Sequence, residues 1–311
     1  MPRERLIDTA CKFIDKGFME DSLRVDAKRY VEFKFNQSIH FAKLTEIHFD
    51  IFRENKNSIH KMKAMTIVEL IILASDILDD IQDRDAKDVP WSNVDDAFNL
   101  NIVVGMLIIC LQETDGIAGV NETMWIKQKI QDLMLQSLNG QQIDLKNEII
   151  SEDDYIQMCY MKSGSLIRLA CLVGAGKVDH EINKGIKEYS NYLGVIFQLR
   201  NDVLDMKNGF IKNDILSKKR TLPIIYYLNT KNEAYDSIKD YYLNSSSNLD
   251  AKRIHQDLMS GDALLYCSIV EEVFTHKFKN LIESQYLSLE YQQLLMNIIS
   301  KRKVYQNQST E

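Results

Sequence analysis

The sequence predicts an all-α protein, and two counts and one pattern carry that reading. Its 311 residues include only three prolines and twelve glycines, where average usage would give roughly 16 and 22. Proline costs about 3 kcal/mol and glycine about 1 inside a helix, so the shortage favours long helices over short strands joined by turns. Apolar residues recur at helical spacing along the chain, and strands are hardly suggested anywhere.

Taken in order, the periodicity predicts a helix over 22–55. A second, over 62–83 (MKAMTIVELIILASDILDDIQD), is apolar at Ile67, Val68, Leu70 to Ala74, Ile77 and Leu78. That run is too continuous for a surface helix and too long for a strand, so it reads as a buried central helix ending before Pro90. Further helices are expected near 93–114, 121–140, 152–174, 181–206 and 221–243, with several more from 250 to 305. The stretches 56–58, Asp115-Gly116, 174–176, 207–209 and 244–247 read as connections, and 301–311 as a polar, frayed tail. No internal repeat is visible. One domain spanning 1–311 is the simplest organisation.

Composition excludes several functions. A formal net charge of −7 does not suit a nucleic-acid partner, whose phosphates call for a basic face. The five cysteines, Cys11, Cys110, Cys159, Cys171 and Cys267, are scattered and form no CxxC pair. They point away from a disulfide framework or zinc site and toward a reducing cytoplasm. The first residues carry Glu4, Asp8 and Asp15 and no apolar core, unlike a secretory signal. The longest uncharged apolar run, Ile102–Leu111, is about half of what a membrane span needs. A soluble cytoplasmic protein without a transmembrane segment is the expectation.

Two acidic clusters carry the chemistry. Asp76, Asp79, Asp80 and Asp83 close the most apolar helix, at spacings that put them on adjacent positions of one face. Like charges so placed cost an isolated helix a few tenths of a kcal/mol per pair, roughly. A generic acidic cluster is as readily a solvated helix end. Here the preceding Ile71-Ile72-Leu73-Ala74 is no solvated surface, and a hard cation such as Mg²⁺ would offset the repulsion. The second cluster lies in Phe197-Gln198-Leu199-Arg200-Asn201-Asp202-Val203-Leu204-Asp205, where another apolar helix ends in oxygen ligands. Two such helices facing each other would hold metal ions and clamp a diphosphate.

Asp79-Asp80-Ile81-Gln82-Asp83 is a DDxxD motif, and Phe197-Gln198…Asp202…Asp205 resembles the second aspartate-rich motif of trans-isoprenyl diphosphate synthases, the polyprenyl synthetase family. Three more landmarks follow the family order. Gly140-Gln141-Gln142-Ile143-Asp144-Leu145 resembles GQxxDL, Lys162-Ser163-Gly164-Ser165-Leu166 resembles KTGxL, and Lys219-Arg220-Thr221-Leu222-Pro223 resembles KxTLP. The resemblance covers roughly residues 60 to 230. It implies the isoprenoid synthase fold (class I terpenoid synthase), a bundle of long helices around a deep apolar pocket and usually a homodimer. It also implies Asp79, Asp80, Asp83, Asp202 and Asp205 as ligands of two or three Mg²⁺ ions on an allylic prenyl diphosphate. Lys162 and Lys219 would neutralise its oxygens, with Gln198 and Asn201 beside them. Read alone, each lysine would be an ordinary surface residue.

Departures from the family pattern bear on the acceptor. Chain-elongating members carry a GGKR-type segment before the first motif and paired arginines after it, which bind the acceptor's diphosphate. Here Val31–His40 (VEFKFNQSIH) has no Gly-Lys-Arg, and Arg84–Trp91 (RDAKDVPW) no Arg-Arg-Gly. The second motif begins with Asn201 in place of Asp. This combination resembles the ComQ-like branch, which prenylates a tryptophan of a small precursor peptide in quorum sensing. The expected reaction is therefore transfer of a farnesyl, geranyl or longer group to a peptide tryptophan. The alternatives are a short-chain synthase using isopentenyl diphosphate, a terpene cyclase, or a non-catalytic partner subunit. Small residues at Ser75 and Ala74, one turn below the metal site, would leave room for a long tail; they equally suit close helix packing. His40, His48 and His60 lack metal-ligand spacing, and Trp91 and Trp125 read as packing residues.

Overall fold

A computed structural model describes residues 3–84, 87–209, 214–244, 251–284 and 287–305, without the side chains of 300–305. Among the described residues the chain is helical and contains no strand. The helices are α1 (Arg3–Gly17), α2 (Asp21–Gln37), α3 (His40–Phe52), α4 (Ser58–Asp83), α5 (Asp96–Glu113), α6 (Val120–Lys146) and α7 (Glu152–Cys159). They continue as α8 (Ser165–Ala175), α9 (His180–Asn208), α10 (Leu222–Asn229), α11 (Asp236–Leu243), α12 (Ala251–Ser260), α13 (Ala263–Ser284) and α14 (Leu289–Tyr305). The chain divides into two compact units, Met1–Leu135 with Leu166–Glu188 and Ile282–Glu311, and Gln136–Ser165 with Tyr189–Leu281.

In the first unit α4 is the central helix. Asn57 caps it, its side chain accepting from the Ile59 and His60 N–H groups at 2.9 and 3.1 Å. Every residue from Ala64 to Ala74 is buried, as α1, α2, α3 and α5 pack around it. The expected helix over 22–55 is corrected to two, α2 and α3, because Ser38 takes an extended conformation. No glycine or proline marks that break. The new helix start is met from outside, where Glu69 of α4 accepts the Ala42 N–H at 2.7 Å.

The stretch Asp96–Gly116, mostly α5, is long and apolar enough to cross a membrane by length and composition. The count of uninterrupted apolar residues had not suggested this. Its inner face, Ile102, Val103, Met106, Ile109 and Cys110, is buried in the unit, while Leu100, Val104 and Ile108 are exposed.

The expected single helix over 152–174 is corrected to α7, in the second unit, and α8, which belongs to the first from Leu166 on, joined by a π-helical turn, Tyr160–Gly164. Three glycines let backbones meet there. A Cβ on Gly140 would lie 2.3 Å from the Lys162 nitrogen, and one on Gly194 2.6 Å from the Gly164 nitrogen. The expected helix over 221–243 is interrupted by Thr230–Asn232 and resumes as α11 after a short 3₁₀ turn. Pro90 opens the 3₁₀ turn Pro90–Asn93, and Pro223 sits in the first turn of α10, both places that tolerate a missing N–H. Residues 301–305, expected to fray, continue α14, while 306–311 and the serine-rich 245–247 lie outside the described residues.

Candidate active site

The first acidic cluster closes α4. Asp76, Asp79, Asp80 and Asp83 are all half-buried, below the fully buried Ile71–Ala74. Ala74 lies in the core, and the Ser75 hydroxyl is turned back to the Ile71 carbonyl at 2.9 Å. Lys34 and Trp91 both reach these carboxylates. Lys34 of α2, the one cation of the segment Val31–His40, forms an ion pair with Asp76. Trp91 donates its indole N–H to Asp80 Oδ2 at 2.7 Å. The helix ends at Arg84, in the left-handed conformation at φ 54°.

The second cluster belongs to the other unit. Asp202 is only 5% exposed. It accepts from Tyr155 at 2.6 Å through Oδ2 and from Gln198 at 2.9 Å through Oδ1. Gln198 is oriented in turn by the Ser163 hydroxyl at 2.8 Å. Burial pushes the Asp202 carboxyl up to about 7, against the lowering effect of Tyr155, Lys219 and Gln198. Asp205, one turn on, is half-buried, and Asn201 is exposed.

Lys162 and Lys219 converge on Asp144, at 2.8 and 3.2 Å from its Oδ2. Asp144 is 6% exposed; burial alone would raise its carboxyl, yet the two lysines hold it below the ordinary range. Asn147 shapes the Lys219 segment, donating to the Lys218 carbonyl at 2.9 Å and accepting the Arg220 N–H at 2.6 Å.

Each half thus brings its expected residues together: Asp79, Asp80 and Asp83 on one helix end, and Lys162, Gln198, Asp202 and Lys219 in one connected group. Asp144 has no role assigned from sequence, and its place as the acidic residue of the GQxxDL-like landmark is its one signal there. Tyr155 and Ser163 carried no such signal, because their partners lie 47 and 35 residues away.

Carboxylate oxygens on successive turns are the donors that Mg²⁺ takes. Among the described residues no three acidic, histidine or cysteine side chains converge on one point. Mg²⁺ commonly takes one or two carboxylates together with substrate oxygens and water. The buried Asp202, held near neutrality, is a further carboxylate whose ionised form a cation would favour.

Known proteins similar to this chain fix its family and fold. The tryptophan prenyltransferase ComQ of Bacillus subtilis subsp. natto is 26% identical over 276 residues, 88% of this chain and 85% of its own. ComQ of Bacillus spizizenii is 31% identical over 217 residues, 69% of this chain and 76% of its own. Among solved structures, a geranylgeranyl pyrophosphate synthetase from the archaeon Geoglobus acetivorans matches with a TM-score of 0.79 at 17% identity, covering 96% of this chain and 97% of that one. A polyprenyl synthase from Caulobacter crescentus, complexed with calcium and isoprenyl diphosphate, matches at 0.70 and 16% identity, covering 96% of each chain. The all-α isoprenoid synthase fold is therefore that of this chain. With the polyprenyl synthetase family model matching residues 38–258, more than half its length, the chain belongs to the polyprenyl synthetase family.

Proposed function

We propose that this protein is a Mg²⁺-dependent prenyltransferase that moves an isoprenyl group from an allylic diphosphate to a tryptophan of a small precursor peptide in quorum sensing. The observation that carries the acceptor is the Lys34–Asp76 ion pair. In the segment where elongating enzymes hold the acceptor's diphosphate with bare cations, this chain offers one lysine, and an aspartate one turn before the DDxxD motif engages it. Similarity to tryptophan prenyltransferases over most of the chain supports the same reading. The calcium and isoprenyl diphosphate of the Caulobacter structure support a divalent cation and a prenyl diphosphate as partners.

Asp79, Asp80, Asp83, Asp202 and Asp205 are the proposed ligands for two or three ions. When bound, Mg²⁺ supplies charge that stabilises the departing diphosphate. The chain's own residues do the rest. Lys162 and Lys219, pre-aimed by Asp144, neutralise diphosphate oxygens as negative charge builds on them. Gln198 and Asn201 are the proposed polar contacts beside them. The apolar length of α4 below the aspartates, ending in Ala74 and Ser75, lines the prenyl chain and keeps water from the cation. The allylic C1–O bond breaks with its electron pair leaving on diphosphate, the bond from indole C3 to C1 forms, and the indole system sheds a proton.

The protein acts as one domain and as a homodimer in this reading. The exposed apolar stripe Leu100, Val104 and Ile108, at successive turns of α5, supports a second copy as partner. No disulfide joins the five cysteines, and four of them are buried, which supports a cytoplasmic location. Incubation with farnesyl or geranyl diphosphate, Mg²⁺ and the tryptophan-containing peptide encoded beside the gene tests the proposal. The expected result is a peptide heavier by one prenyl group. Efficient consumption of isopentenyl diphosphate with no peptide product would establish the short-chain synthase instead.

A further inference from the structure

Trp91 reads from sequence as a packing residue, but its surroundings are built around its N–H. The side chain is 4% exposed. Its ring meets Tyr30 and Phe33 of α2 edge-on, with centroids 5.5 and 5.8 Å apart. Its carbonyl accepts from Asn99 Nδ2 at 3.0 Å, and Asn99 Oδ1 accepts the Tyr30 hydroxyl at 2.7 Å. Pro90 fixes the backbone just before it. A ring packed against two aromatics and held through its main chain has one polar side-chain atom to place, and that atom donates to Asp80 at 2.7 Å.

The chemistry of the donor matters. An indole N–H can only donate, so Asp80 meets it as an acceptor. It also carries no charge. A lysine or arginine there would neutralise the carboxylate and compete with a cation for it, whereas the indole fixes the carboxylate's direction and leaves its charge intact. Asp80 stands four residues from Asp76 and three from Asp83, so like-charge repulsion acts on it and a fixed donor such as Trp91 resists its turning.

We propose that Trp91 is a positioning residue for the DDxxD motif, aligning the Asp80 carboxylate for a divalent cation through a neutral hydrogen bond. This rests on the metal-binding part of the function proposed above and is independent of the acceptor. The test is Mn²⁺ binding to the full chain in the presence of inorganic diphosphate, read by electron paramagnetic resonance, for the wild type and Trp91→Phe. Phenylalanine keeps an aromatic ring between Tyr30 and Phe33 and removes the donor.

The expected result is an affinity about 10-fold weaker in a variant that is still fully folded at the assay temperature, as for partners that orient metal ligands. Equal affinity in the two proteins overturns the proposal while leaving the metal site standing; no saturable binding by the wild type overturns both. Should Trp91→Phe fail to fold, Trp125→Phe leaves Trp91 as the sole indole in the chain. Its emission should then shift saturably with Mg²⁺ and diphosphate and lose that response in Trp125→Phe/Asp80→Asn. An emission indifferent to Mg²⁺, or a response that survives Asp80→Asn, overturns the proposal.

Discussion

Asp144 and Glu69 show how single buried carboxylates serve opposite ends in this protein. Asp144 is ionised because Lys162 and Lys219 face it, and it keeps two ammonium groups at fixed places. Asp144→Ala would leave both cations without their shared partner, so it should destabilise the fold by about 3 kcal/mol in urea titrations and abolish prenyl transfer. Glu69 is set the other way, because burial outweighs the pull of Lys34. It is buried in α4, where desolvation pushes its carboxyl from 4.5 up to about 7. A carboxyl raised on folding favours the folded state most below pH 4.5, and that advantage fades as pH climbs through about 7. The difference amounts to about 3 kcal/mol at 1.36 kcal/mol per pH unit. Glu69→Gln keeps an acceptor for the Ala42 N–H and has no charge to bury. Its stability should match wild type near pH 4.5, exceed it at pH 8, and lack the intervening decline in chemical denaturation. At this scale the sequence exposed the aspartates and lysines, whose spacing within one segment is itself the signal. It did not expose Tyr155 or Ser163, whose partners lie 47 and 35 residues away, and it gave Trp91, 11 residues from Asp80, only a packing role.

Helices were legible wherever their apolar pattern was their own. α4 was read as the central buried helix because its run of Ile, Leu and Ala is continuous, and Ala64–Ala74 is indeed buried throughout. Boundaries made by tertiary contacts were not legible. The α2–α3 break at Ser38 has no breaker residue, and the α3 start takes its acceptor from Glu69 on another helix. The π turn carrying Lys162 is likewise set from outside, by backbone approach at Gly140 and Gly194. Gly140→Ala tests that element directly. Its methyl would press on the Lys162 backbone, and relief requires α6 or the turn to move. A loss of about 2 kcal/mol is expected from overpacking. Prenyl transfer should fall further than stability predicts, because Lys162 moves with the turn; a variant with full activity would show that the close approach is not needed.

The whole molecule joins a prenyl-diphosphate scaffold to an altered acceptor region. The scaffold was foreseeable because five landmarks fall in family order, and the family and fold assignments agree with it. The acceptor was foreseeable only as an absence of basic motifs, and the Lys34–Asp76 pair gives that absence a physical form. Competition between acceptors tests this most directly. Radiolabelled farnesyl diphosphate is supplied with Mg²⁺, isopentenyl diphosphate and the tryptophan peptide together in one reaction, and the label is followed by chromatography. Label on the peptide, unchanged in amount when isopentenyl diphosphate is omitted, is the predicted result. Label in longer prenyl diphosphates, with the peptide unmodified, would contradict the account.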